Sequence, residues 1–97
     1  MLDFSKEEKL HLDLKLKDGR LLCVYPPTLD MIGEFRKMDF ENPDFEMARK
    51  VIAQILSNNM QKAKVMPSQI GELNMNEFSA LIQAISDFVI EIQNQKN

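Results

Sequence analysis

The run LHLDLKL at residues 10–16 constrains this chain more than any other stretch. Leu10, Leu12, Leu14 and Leu16 alternate with His11, Asp13 and Lys15, the two-residue period of a strand with one face in a core. Asp18-Gly19 and then RLLCVY follow, so the chain is expected to turn back on itself as a β-hairpin over about residues 9–25. A two-residue type I′ turn at Asp18-Gly19 sets the pairs. Leu16 then faces Leu21, Lys15 faces Leu22, Leu14 faces Cys23, Asp13 faces Val24 and Leu12 faces Tyr25. Directly opposite residues share a face. The expected core face is therefore Leu12, Leu14, Leu16, Leu21, Cys23 and Tyr25. The other face mixes Asp13, Lys15, Lys17 and Arg20 with Leu22 and Val24. Those two apolar residues are the candidate partner-binding surface, against the plainer reading of scattered exposure.

Pro26-Pro27 stops the return strand, because proline has no N–H to give to a ladder. Thr28 can cap a helix over about 29–38, with Asp30 well placed in its first turn. Gly33 costs that helix about 1 kcal/mol relative to alanine, which a close packing contact or a hinge would explain. Asn42-Pro43 reads as a cap and first-turn proline for a second helix over about 43–58. Its apolar stripe is Phe45, Ala48, Val51, Ile52, Ile55 and Leu56. Ser57-Asn58-Asn59 ends it, a polar connector follows, and a single turn is expected within 68–73. Asn74 and Glu77 have the spacing of a capping box for a last helix over about 75–93. Phe78, Leu81, Ile82, Ile85, Phe88, Val89 and Ile92 line one side of it. Burying seven such side chains contributes roughly 10 to 20 kcal/mol gross. The expected fold class is α+β: an N-terminal β-hairpin and three or four helices in one small domain spanning 1–97.

The charge balance narrows the partners. Up to Lys64 the acidic and basic residues are equal in number, whereas Glu72, Glu77, Asp87 and Glu91 face only Lys96. The acidic last third offers no basic stripe to a phosphate backbone or an anionic bilayer. There is no signal-peptide core and no apolar run of the roughly 20 residues that span a membrane. Nucleic acid and membrane are thus not expected as partners, and the cytosol is the expected compartment. One cysteine and one histidine are too few for a zinc site.

Catalytic candidates are weak. In the expected register Cys23 sits among leucines, where a thiol is inert, while His11 points the other way. Glu7-Glu8 and Asp44-Glu46 lie where carboxylates solubilise the chain or match a helix dipole. Phosphate-loop, dinucleotide, zincin and nucleophile-elbow patterns do not occur. The chain is read as a non-enzyme with no catalytic residue, metal or cofactor. Six methionines besides Met1 are many for 97 residues; they fill gaps in small cores or furnish adaptable contact surfaces.

The order LKDGRLLCV, PPTLDMIGEF, AQILSNN and IGELNMNEFSALIQAISDFVIEI resembles the small tail assembly chaperones of bacteriophages and prophages. The resemblance rests on the Pro-Pro-Thr step after the hairpin, the helix ending in ILSNN, and the LIQAISDF pattern of the last helix. It covers most of Leu10 to Ile92. It implies a role rather than a reaction: coating the long tape measure protein, helping to recruit tail tube protein, and absence from the mature virion. It also implies self-association into an oligomer in the bacterial cytoplasm. The alternative is a generic α+β interaction or adaptor domain, dimeric through its final helix. Genes of this family often carry a programmed minus-one frameshift near the 3′ end. Gln95-Lys96-Asn97 can be encoded by the slippery run CAA AAA AAC. A minor extended product is expected, against the plainer reading of a solvated tail; other codons at those positions, with no overlapping downstream frame, sink the expectation.

Overall fold

The computed structural model describes residues 10–39 and 41–94. The expected hairpin start at residue 9, the Glu7-Glu8 pair and the Gln95-Lys96-Asn97 tail lie outside them. An antiparallel hairpin, β1 (Leu12–Lys15) and β2 (Leu21–Val24), is followed by four helices. These are α1 (Leu29–Arg36), α2 (Phe45–Ser57), α3 (Pro67–Gly71) and α4 (Met75–Asn94). The α+β expectation is met.

The hairpin register is displaced by one residue from the expected one. Leu12 pairs with Val24, Asp13 with Cys23, Leu14 with Leu22 and Lys15 with Leu21. Leu16 N–H donates to Arg20 C=O at 2.8 Å, closing a loop of Lys17, Asp18 and Gly19. Gly19 alone of the three has positive φ (91°), as in a type I turn followed by a bulge glycine. A type I′ turn would need positive φ at Asp18 as well. Asp18 instead accepts hydrogen bonds from Arg20 N–H (3.0 Å) and Arg20 Nε (2.9 Å). Those contacts, the backbone N–H first, hold its carboxyl below the usual carboxylate range.

A one-residue slip turns every side chain of one strand over. Leu22 and Val24, expected on the surface, are 1% and 0% exposed. Leu21, expected in the core, is 66% exposed. Cys23 and Tyr25 are only partly buried. The physical reason is the quality of the two faces: the observed register joins Leu12, Leu14 and Leu16 to two aliphatic side chains. The expected one would have had to bury a thiol and a phenol. Leu22 and Val24 are thereby removed as a candidate partner surface.

The helices form where caps permit. Thr28 Oγ1 accepts from Met31 N–H at 3.2 Å, and Asn74 with Glu77 makes a reciprocal capping box at 2.8 and 2.9 Å. Helix α2 starts two residues later than expected. Asp44, not Asn42, is its cap, with Oδ1 accepting from Glu46 and Met47 N–H; a carboxylate there also complements the helix dipole. The short α3 begins with Pro67 at its first position, and Gln69 Oε1 reaches back to Met66 N–H at 2.8 Å. A Cβ built on Gly33 would meet nothing within 4 Å, so close packing does not explain that glycine.

Helix α2 is the central element. Ile52, Ile55 and Leu56 are almost wholly buried, together with Leu22, Val24 and Ile85 of α4. After α2 the chain is tied by side chains rather than by regular structure. Asn59, 4% exposed, donates from Nδ2 to Leu56 C=O and Ala63 C=O and accepts Ala63 N–H at Oδ1. Ser57 Oγ accepts from Val65 N–H and donates to Val65 C=O. Among the described residues, no buried side-chain nitrogen or oxygen is without a partner.

Candidate interaction surfaces

The two edges of the hairpin are treated differently. On the β2 side, residues 58–61 act as an irregular third strand. Tyr25 N–H donates to Asn58 C=O (2.8 Å), Met60 N–H to Cys23 C=O (2.9 Å), and Cys23 N–H to Gln61 Oε1 (2.9 Å). The β1 side has no such cover among the described residues. The Leu16–Arg20 bond fixes the alternation: Leu12, Leu14 and Leu16 turn their main-chain groups towards β2. Asp13 and Lys15 turn theirs outward, and both residues are exposed. An edge of this kind is a template for another strand.

A groove of about 330 Å³ runs beside this edge. Leu14, Leu16, Val65, Ile70, Leu73 and Leu81 belong to its apolar lining. No β2 residue lines it. Lys17 Nζ meets Glu77 Oε1 at 3.1 Å, tying the hairpin tip to α4. Asn74 N–H first, and then Lys17, hold the Glu77 carboxyl below its ordinary range.

The second surface lies where α2 and α4 begin. Phe45, expected in the core stripe of α2, is 47% exposed, and its ring meets Phe78 edge-on with centroids 6.3 Å apart. Met75, 60% exposed, and Phe78 belong to one hollow of about 120 Å³ with Phe45. Phe78 also borders a second hollow of about 100 Å³ with Met38, Pro43 and Met47. Phe45, Phe78 and Met75 thus form an apolar ridge along the first hollow, and Phe78 alone of the three also borders the second. Periodicity concealed it, because Phe45 falls in phase with the buried stripe. The signal that could have found it is Asp44 as cap: Phe45 becomes the first helical residue, beyond the end of the core.

The outer face of the hairpin carries Cys23, Tyr25 and His11. Cys23 and His11, expected on opposite faces, share this one in the observed register. His11 packs against Tyr25, with ring centroids 6.0 Å apart, while Cys23 Sγ receives Gln61 Nε2 at 3.5 Å. Among the described residues no group of three or more His, Cys, Asp or Glu could hold a metal ion. No helix among them is long and apolar enough to cross a membrane. Helix α4 turns Gln83, Asp87 and Glu91 outward, with Ile90 the one large apolar side chain beside them. Compared with family models, curated proteins and solved structures, the chain matches none.

Proposed function

We propose that the chain is a non-enzymatic tail assembly chaperone of a bacteriophage or prophage. In this reading it holds the tape measure protein in the bacterial cytoplasm, helps to recruit tail tube protein, and is left out of the mature virion. The observation that carries the reading is the exposed ridge of Phe45, Phe78 and Met75 with the two hollows that Phe78 borders. A long helix with apolar side chains at successive turns has anchors of the right kind for such hollows. Methionine and aromatic side chains adapt to a client whose sequence varies along its length. The reading assigns the chain no catalytic residue, metal or cofactor, and neither nucleic acid nor a membrane as partner.

Co-expression with the tape measure protein, which this reading expects as a very long helical chain encoded in the same gene cluster, tests it. The wild-type chain is expected to co-purify with that protein. Phe45→Ser combined with Met75→Ser is expected to weaken the complex at least about tenfold, the size of losing one or two interface anchors. Thermal melting of the variant should stay close to wild type, because both side chains are exposed. No complex under overexpression of both proteins, or a complex indifferent to the two substitutions, overturns the proposal.

A further inference from the structure

We propose that the open edge of β1 is a self-association site, where β1 of a second copy pairs with it antiparallel in a single register. Within β1 the main-chain groups that point out at this edge belong to Asp13 and Lys15, so a strand added along β1 forms its hydrogen-bonded pairs there. For a two-fold pair of identical strands, three registers centre on Asp13, Leu14 or Lys15. Placing Asp13 opposite Asp13 of the other copy sets like charges face to face. Placing Lys15 opposite Lys15 does the same, and recruits Lys17, which is already paired with Glu77. Only the register centred on Leu14 puts Asp13 opposite Lys15 of the second copy, and Lys15 opposite its Asp13. Among the described residues neither side chain has an ion-pair partner: across the hairpin Asp13 faces Cys23 and Lys15 faces Leu21.

The same register is favourable on the other face. Leu14 meets Leu14 of the second copy, and Leu12 meets its Leu16. Leu12, Leu14 and Leu16 are only half-buried within one chain. A strand added beyond β1 continues this leucine face on the side where the groove opens. The interface is isologous, so it closes as a dimer, and the two hairpins become one sheet. The site goes beyond the client-binding reading: it needs no client and uses none of Phe45, Phe78 or Met75.

The test uses the purified chain alone, so its failure leaves the co-expression result untouched. Sedimentation velocity should show a concentration-dependent dimer. Asp13→Lys places lysines opposite one another twice in each dimer, and Lys15→Asp does the same with aspartates. Each single variant should weaken association by about 30-fold, the combined effect of two cross-strand pairs changing sign. The double variant, Asp13→Lys with Lys15→Asp, should restore it, and so should an equimolar mixture of the two single variants. Both positions are exposed, and an unchanged circular dichroism spectrum confirms that each variant folds. In the dimer the amides of Asp13 and Lys15 gain protection from hydrogen exchange. A wild-type chain that stays monomeric up to its solubility limit overturns the proposal. So does a dimer indifferent to the single reversals. Protection of those two amides only when an extended client peptide is added to a monomer assigns the edge to the client, and overturns it as well.

Discussion

Leu22→Asp is expected to abolish folding at neutral pH, whereas Leu21→Asp, one residue away, is expected to change stability by no more than about 0.5 kcal/mol. Leu22 is 1% exposed and belongs to the cluster that includes Val24, Ile52, Leu56 and Ile85. Removing its side chain from that cluster forfeits about 1.5 to 3 kcal/mol. A carboxylate in its place must be desolvated without a partner or held neutral, which costs several kcal/mol more. The total is comparable with the whole stability of a small domain, about 5 kcal/mol at the low end. Leu21, 66% exposed, has no such environment. Burial raises the folded-state pKa of the introduced carboxyl, so its penalty is greatest above that pKa and eases as pH falls through it. Urea titrations followed by circular dichroism at two pH values measure both effects. The pair of variants also tests the register: a two-residue turn would exchange their outcomes, and a folded Leu22→Asp beside an unfolded Leu21→Asp would refute the three-residue loop.

The hairpin was legible because its signals are local: leucine alternation and an Asp-Gly turn. Its register was not, because Asp-Gly serves two turn types and RLLCV is apolar at consecutive positions. Either Leu21 or Leu22 could have faced inward. The decision rests on non-local facts: the packing of Leu22 and Val24 into the cluster around α2, and the seating of residues 58–61 against Cys23 and Tyr25. The helix caps at Thr28 and Asn74 were legible for the same reason as the hairpin, since each is completed within three residues. Asn42 misled because Asn-Pro is a good start signal in isolation, while Asp44 has the stronger acceptor for the same task. The surfaces were the least legible. The open edge of β1 acquires meaning only once the register decides which main-chain groups point outward. The ridge depends on where α2 and α4 begin relative to one another.

Asn59→Ala is the second substitution with a large expected effect, about 3 to 4 kcal/mol of destabilisation, although it removes no apolar contact of note. The Asn59 side chain makes three hydrogen bonds of 2.8 to 2.9 Å, to Leu56 C=O, Ala63 C=O and Ala63 N–H. Each contributes about 1 kcal/mol net, and a buried group left without its partner costs about 1 to 3 kcal/mol. The bonds also hold a backbone that regular structure does not: Lys62, within the bend, has a φ of 55°, a conformation most side chains avoid. Released from Asn59, residues 58–60 should come away from β2, so the amides of Tyr25 and Met60 lose exchange protection ahead of the α2 core. Asn59→Asp should not rescue the fold, because a carboxylate keeps the acceptor for Ala63 N–H but faces two carbonyl oxygens with no donor. Gln61→Ala, which removes two exposed bonds to Cys23, should cost less than about 1 kcal/mol. An Asn59→Ala variant as stable as Gln61→Ala, with protected Tyr25 and Met60 amides, would show that β2 and the helix end hold this bend without the asparagine.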